Sequence, residues 1–167
     1  LTFRVLDFAD LTIDGSFTTG AGTTAVLLVA GWQPLAATAI GGAVGLVAGL
    51  ITGLLNTWGK IHPLLAGILT QIGLYSINLR IMGKANVPLL RSDTVFTGLR
   101  QGGLLGSPAS VALLAGVLGI FVVVLCWFLS TDIGLGLRAT GDNESMARAQ
   151  GINTDAMKLI GLSLSNG

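Results

Sequence analysis

The sequence predicts an all-α membrane protein: a polytopic bundle of about four transmembrane helices followed by the start of a fifth. Of its 167 residues, 51% are hydrophobic and only 10% are charged, whereas soluble domains carry about a quarter charged residues. Uncharged stretches also recur at lengths near the roughly 20 residues that a helix needs to cross the hydrocarbon core. We expect residues 1–167 to form a single transmembrane domain.

Four segments are candidate spans. The first is short and begins with hydroxyl residues and glycines, so it is either a full span extended upstream or the second half of a broken helix. The fourth is the most hydrophobic, and Trp127 lies where an interfacial aromatic residue is expected. A fifth apolar helix, capped by Asn153 or Thr154, then begins. The four spans are 15–31, 34–55, 61–82 and 108–129.

The two ends of the chain indicate a piece of a longer protein. The first residues, before the first span, lack a basic start, an unbroken apolar core and a small-residue cleavage site, so they are not a signal peptide. The last residues fall inside the fifth apolar helix. We therefore expect a preceding first span and further spans beyond residue 167.

Glycines recur at every fourth position of the second span, which places them along one side of a helix. In a membrane such a stripe allows another helix backbone to approach closely. We interpret it as a packing face without a transport role. It consists of Gly41, Gly45, Gly49 and Gly53.

The segment before the first span alternates charged and bulky apolar residues. It carries Arg4, Asp7, Asp10 and Asp14 within residues 3–17. Charge at membrane depth is costly unless it is paired or meets water, and irregular backbone there must be buried in protein or line a cavity. One interpretation is a broken helix beside the translocation path, in which Arg4 pairs with Asp7 and the run from Asp14 to Ser16 caps the following half-helix. An ordinary interfacial loop with a helix cap fits the residues equally well.

In the third span, Gln71, Tyr75 and Asn78 fall on one face of a helix. These side chains could line a polar conduit together with Asp7, Asp10, Asp14 and Ser16. They could instead bond to neighbouring helices, for about 0.6 kcal/mol each. The residues alone favour the second interpretation slightly.

Residues 130–158 hold the densest charge in the chain and must lie in water. Asp142 or Asn143 can cap a short helix there, Glu144 favours its positive N-terminal end, and Gly151 can end it in a left-handed conformation. The positive-inside rule does not fix the side of the membrane, because the Lys/Arg difference between the loops is too small.

Several function classes are excluded by what the residues lack. The net charge is +1 and no basic run occurs, so nucleic-acid binding is not expected. The run from Gly20 to Thr24 lacks the lysine of a phosphate-binding loop, so the chain should not hydrolyse ATP and is not expected to be an enzyme. His62 and Cys126 stand alone, so we expect no metal and no cofactor.

The charged segment contains a pattern that resembles a known family. Residues 134–154 read Gly-x-x-x-Arg-Ala-x-Gly, then Asn, then Ala and Gly-Ile-Asn. This run resembles the cytoplasmic loop of the branched-chain amino-acid-type permeases of ATP-binding-cassette (ABC) importers. Residues 3–17 and 77–84 are similar to a branch associated with amino-acid uptake, including tryptophan-type systems.

The resemblance implies a permease for a small solute, an amino acid by preference, in a bacterial inner membrane. It implies a cytoplasmic coupling loop at residues 131–157, whose short helix docks into a separate ATPase subunit. Further partners would be the lipid bilayer, an extracytoplasmic substrate-binding protein and a second permease copy, identical or paralogous. The implied ATPase contact consists of Asp142, Asn143, Glu144, Met146, Ala147, Arg148 and Gly151.

Two other functions remain open at this stage. An ion-coupled secondary transporter could also use broken helices and polar groups at membrane depth. A membrane scaffold without transport activity would need none of them. In either case the short helix could be a capped surface helix that touches no partner.

Overall fold

The computed structural model describes residues 2–6, 8–83, 87–89, 94–95, 97 and 108–167. This part of the chain is helical and contains no strand, which confirms the all-α prediction. Its helices are α1 (Thr2–Val5), α2 (Ile13–Val29), α3 (Pro34–Thr57), α4 (Pro63–Met82), α5 (Pro108–Leu129), α6 (Asp132–Asp142), α7 (Glu144–Ala149) and α8 (Thr154–Asn166).

Three of these helices are long and apolar enough to cross a membrane: α3, α4 and the Ser110–Leu129 part of α5. Helix α2 has 17 residues, at the short limit of about 17 to 25 for a membrane helix. Proline at the first helical position begins α3 and α4, where its missing N–H costs no hydrogen bond. Gly83, with φ of 60°, ends α4 in the left-handed conformation.

Helix α3 is the centre of the bundle and packs against α2, α4 and α8. Its four-residue glycine stripe is buried and lies on these contacts. A Cβ atom at Gly49 would lie 2.9 Å from the Cα atom of Ser163, and one at Gly53 would lie 2.8 Å from Leu159 Cδ2. The stripe therefore brings α3 against the backbone of α8 at the close approach that small residues permit in membranes. Gly41 and Gly45 lie in the same row, against α2 and the end of α8.

At one end of the bundle, α1 and α6 pack beside α8. Leu6, Phe8, Leu137 and Leu162 form a buried apolar cluster there. Helix α6 was not predicted from the sequence, which indicated a charged, water-exposed segment with one short helix. It forms because Thr131 caps it by accepting a bond from Gly134 N, at 3.4 Å, and because Gly134, Gly136 and Leu137 are buried.

Candidate functional site

The short helix α7 has well-formed ends. Asn143 Oδ1 accepts a hydrogen bond from Met146 N at 3.0 Å, as an N-cap does. Gly151 follows the helix with φ of 86°, a conformation that glycine adopts without strain. The next helix, α8, is capped in the same way by Asn153, whose Oδ1 accepts from Ala156 N at 3.1 Å. The turn between α7 and α8 is therefore fixed at both sides by local bonds.

Charged side chains also tie α7 to α8, in what we call the α7–α8 ion network. Glu144 Oε1 accepts from Lys158 Nζ at 2.8 Å and from Arg148 Nη2 at 3.1 Å. The same Arg148 nitrogen donates to Thr154 Oγ1 at 2.7 Å and lies 3.2 Å from Asp155 Oδ1. Thr154 is 1% exposed, so the guanidinium is anchored on a buried hydroxyl. The network thus links α7 to the first turns of α8.

The ion network also shifts the acidity of Glu144. The hydrogen bond from Lys158 is the main cause, and the charges of Lys158 and Arg148 add to it; together they hold the pKa of Glu144 below its ordinary value, against a smaller opposing effect of burial. Glu144 is therefore fully ionised at neutral pH, and the network is complete there.

The two faces of α7 differ in their exposure to a partner protein. Met146 is 59% exposed, whereas Ala147 is 3% exposed and packs against the chain itself. Just before α7, Gly141 at the end of α6 lies against the backbone of Val5, a contact that leaves no room for a side chain. An external protein can therefore reach Met146, while Ala147 supports the helix from inside.

Helix α2 begins inside the span region, not at its end. Thr12 Oγ1 lies 2.8 Å from Thr52 Oγ1, and Thr52 precedes the end of α3 by five residues, or about 8 Å of helix. Gly15 faces Gln71, eight residues after the start of α4, or about 12 Å. Residues 8–12 before α2 have no regular structure. We call this irregular stretch, residues 8–12, the α2 break; it packs beside the interior of α3 and α4 and not at their ends, and its place beside a translocation path stays a prediction.

The cap of α2 differs from the predicted one. Thr12 occupies the N-cap position and makes no side-chain cap bond. Asp14 lies in the first turn of the helix, where a negative charge is favourable. The predicted pairing of Arg4 with Asp7 falls on the side chain of Arg4 and on Asp7, which lie outside the described part of the chain.

One side of the α2 start is bonded to the end of α8, in what we call the Asn166 cluster. Asn166 Nδ2 donates to Asp10 Oδ2 at 2.7 Å, and Ser16 Oγ donates to Asn166 Oδ1 at 2.7 Å. The other oxygen of Asp10 accepts from Thr12 N at 2.9 Å. The Asp10 carboxylate therefore accepts a hydrogen bond on each of its two oxygens.

The opposite side of the α2 start opens into a cavity of about 380 Å³, which we call the Asp14 pocket. Its lining comes from the first turns of α2 and from the middle of α4 and brings together three of the predicted path residues: Asp14, Gln71 and Tyr75. Gly15, Thr18 and Ile72 complete the lining. Asp10 and Ser16, which were predicted to line the same path, bond to Asn166, and their role in a path stays a prediction.

The third member of the predicted α4 stripe, Asn78, is separate from this pocket. It lies against Gly22 and is near Met82. Its Oδ1 atom is buried and accepts no hydrogen bond from the described residues. Among these residues, no group of three His, Cys, Asp or Glu side chains is placed to hold a metal ion.

Sequence reasoning missed three members of these sites. Asn166 is 150 residues from Ser16, and its only signal was a polar residue in an apolar helix. Thr154 and Lys158 were recognised as a cap and as a charge, but not as partners of α7. Their i, i+4 spacing along α8 was the available signal, because it places both on one face.

The family model described as "Branched-chain amino acid transport system / permease component" matches residues 1–166. The tyrosine transport system permease protein of Clostridioides difficile is 41% identical over 167 residues, 100% of this chain and 54% of that protein. An uncharacterized protein of Rickettsia prowazekii is 31% identical over 168 residues, 100% of this chain and 57% of that protein. The D-allose transport system permease protein AlsC of Escherichia coli is 30% identical over 147 residues, 86% of this chain and 43% of that protein.

The chain thus spans about half the length of the curated relatives it matches. No solved structure matches it. The family model covers every residue of the α2 break, the Asp14 pocket, the Asn166 cluster and the α7–α8 ion network. On this evidence, the chain belongs to the family of permease components of branched-chain amino acid transport systems.

Proposed function

We propose that the chain forms part of the membrane-spanning permease subunit of an ABC importer. In this proposal it contributes to the path of a small solute and couples that path to a separate ATPase subunit. The observation that carries the proposal is α7, a short helix outside the apolar spans that is capped at Asn143, ended at Gly151 and fixed to α8 by ion pairs. A helix with defined ends outside the apolar spans is an element that a partner subunit can contact.

The proposed cargo is an amino acid. The relative at 41% identity carries tyrosine transport in its name, whereas a D-allose permease is 30% identical over a shorter stretch. An aromatic or other apolar amino acid fits this ranking better than a sugar does.

The docking contact that we propose is the exposed side of α7, centred on Met146. Flexible, apolar side chains of this kind are suited to interfaces. Glu144 and Arg148 act by holding α7 in place, since their charges are already paired within the chain. Asp142 and Asn143 at one end and Gly151 at the other define the length of the docking element, and buried Ala147 supports it.

Helix α8 is the proposed connection between the ATPase and the path. The ion network links α7 to the N-terminal end of α8, and Asn166, about three turns further along α8, bonds to Asp10 and Ser16 at the α2 break. A displacement of α7 is therefore carried to the half-helix α2. This is the two-state element that ATP and solute would both bias.

The remaining partners and the location are proposed from the family to which the chain belongs. The side of the membrane that bears α7 is the cytoplasmic side of a bacterial inner membrane in this proposal. A second permease copy completes the path, and an extracytoplasmic binding protein delivers the solute to the opposite side. The coupling segment is residues 131–157.

The experiment uses the full-length permease expressed with its ATPase subunit. We expect Met146→Glu to reduce ATPase copurification about tenfold or more, as the loss of a central interface contact of about 1.4 kcal/mol does. Leu135→Glu makes the same kind of change at a comparably exposed apolar residue of α6, outside α7, and should leave copurification within about twofold of wild type, as for surface changes.

Equal ATPase recovery from both variants would contradict the proposed docking contact. Uptake into proteoliposomes is measured in parallel. Solute uptake that follows an imposed ion gradient and ignores ATP would indicate a secondary transporter instead. Stable assembly without any solute uptake would indicate a scaffold.

A further inference from the structure

Two carboxylates lie at the start of α2, and they differ in their hydrogen bonds to the rest of the described chain. Asp10 accepts hydrogen bonds from Thr12 N and from Asn166 Nδ2. The carboxylate of Asp14 has no hydrogen bond and no ion pair with any described residue. Both lie about 10 Å inside the span region, by the helix rise of about 1.5 Å per residue. Asp14 is thus a charge at membrane depth without a partner of its own.

An unpaired carboxylate at this depth restricts what can cover it. Membrane carboxylates face a water-filled cavity, the interior of a bundle or an opposite charge, because lipid does not solvate them. Asp14 is exposed at the surface of this chain. The side of α2 and α4 that bears the Asp14 pocket therefore faces water or further protein and not lipid, and the proposal below takes it to face an aqueous path.

The lining of the pocket is suited to a positively charged group of a small molecule. It offers the Asp14 carboxylate, the Gln71 amide and the Tyr75 ring, and no basic side chain is among its lining residues. Aromatic rings attract cations at their faces. The volume of about 380 Å³ lies in the range of small-molecule sites. A Ca²⁺ ion would require about six to eight oxygen ligands, more than the one carboxylate, one amide and two hydroxyls of the lining side chains supply.

We propose that the Asp14 pocket binds the ammonium group of the transported solute during its passage through the membrane. This proposal rests on the proposed function, from which it takes the amino-acid class of the cargo. Asp14 supplies the counter-charge, and Gln71 and Tyr75 supply the polar and aromatic wall. A free monovalent cation shares the same chemistry, and the test below separates the two sources.

The test measures how the negative charge of Asp14 affects the reaction rates of charged reagents in the pocket, and it needs no ATPase subunit. Thr18→Cys is introduced into the full-length permease with Cys126 and every other cysteine replaced, because Thr18 is exposed and lines the pocket. The purified protein in lipid nanodiscs reacts with a trimethylammonium-bearing or a sulfonate-bearing methanethiosulfonate. The ratio of the two rates reports the local charge. Ile72→Cys is a second reporter on the α4 side of the pocket.

We expect the cationic reagent to be favoured and Asp14→Asn to lower the rate ratio about five- to tenfold, as the loss of one nearby charge does. Asp132→Asn is the matched control, because Asp132 also lies in the first turn of a helix but outside the spans. It should leave the ratio unchanged. L-Tyrosine and tyramine should slow modification, and the deaminated analogue of tyrosine, which keeps the ring and the carboxylate, should not.

The proposal is overturned if Asp14→Asn leaves the ratio unchanged, or if neither reporter reacts, since the pocket would then not face water. If sodium chloride slows cysteine modification more than potassium chloride does, and tyrosine and tyramine do not slow it, the pocket binds a free cation. That result would overturn the ammonium assignment. None of these results depends on Met146 or on ATPase binding. Failure of the pocket and failure of the importer proposal are therefore distinguishable.

Discussion

Replacement of Asn166 by alanine tests whether α8 connects the ATPase to the α2 break. The substitution removes the bond from Asn166 Nδ2 to Asp10 Oδ2 and the bond from Ser16 Oγ to Asn166 Oδ1, both 2.7 Å long. A hydrogen bond to a charged group contributes about 1.5 to 3 kcal/mol and a neutral one about 0.5 to 1.5 kcal/mol. Ser16 Oγ keeps its bond to Ile13 O, so its hydroxyl is not left without a partner. We therefore expect a loss of about 2 to 4 kcal/mol in the free energy of unfolding.

The matched control is Ser163→Ala on the same helix. Ser163 Oγ donates to Leu46 O at 2.9 Å, so this change also removes a bond between α8 and another helix. That bond is neutral, exposed and directed to α3 instead of α2, so its loss should cost about 0.5 to 1.5 kcal/mol. Reversible unfolding of the full-length permease in mixed detergent micelles measures both changes.

The functional readout separates connection from stability. In proteoliposomes with the ATPase and the binding protein, Asn166→Ala should keep ATP hydrolysis while solute uptake per ATP falls severalfold. Ser163→Ala should keep the uptake-to-hydrolysis ratio of the wild type. If both variants lose stability equally and both keep that ratio, the Asn166 cluster is not part of the connection.

Three further predictions follow from particular contacts. Gly49→Ala should destabilise the permease by about 1 to 3 kcal/mol relative to Gly73→Ala, because a Cβ at Gly49 meets α8 backbone and one at Gly73 meets nothing within 4 Å; equal unfolding midpoints would contradict the packing role. Because Lys158 lowers the pKa of Glu144, the stabilisation of α7 is complete above the ordinary glutamate pKa of about 4.3 and is lost as the pH falls through the lower folded value. The protection of the α7 amides against hydrogen exchange, taken relative to the intrinsic exchange rate at each pH, should therefore fall in that acidic range. Glu144→Gln should abolish this pH-dependent loss of protection. Asn78→Leu should leave stability unchanged or raise it, because Oδ1 is buried without a donor; a loss above about 1 kcal/mol would reveal a partner outside the described residues.

The features predictable from the sequence are those that depend on near neighbours. The bounds of the long helices follow from apolar length and from Pro34, Pro63 and Gly83, and the structure places them within a few residues of the predicted ones. The Asn143 cap and the left-handed Gly151 at the ends of α7 were likewise indicated by residue type alone. Each of these depends on a preference that acts within one helical turn.

The features that could not be predicted depend on which helices meet. The three aspartates around the start of α2 look alike in the sequence, yet Asp10 bonds to Asn166, 156 residues away, while Asp14 lines a pocket. The difference arises because positions 10 and 14 flank the start of a helix whose two sides face α8 and α4. Helix α6 was missed for a similar reason. Its glycines would weaken a helix in water, and they are tolerated here because Gly134 and Gly136 are buried.

A shift of α8 should change the geometry of the Asp14 pocket, because one side of the α2 start contacts α8 and the other lines the pocket. Asn166 holds Ser16 on one side, and Asp14, two residues earlier, lines the pocket against Gln71 on the other. The rest of the α2–α4 contact is close, since a Cβ at Gly15 would lie 3.1 Å from the Cα atom of Gln71. A shift of α8 that pulls Ser16 must therefore either slide α2 along α4 or open the pocket, because packed helices do not compress. In both cases the distance between the Asp14 carboxylate and the Gln71 amide changes. A reporter at Thr18 should thus sense the ATP state of the assembled importer, and it should lose that response in Asn166→Ala while keeping its preference for the cationic reagent.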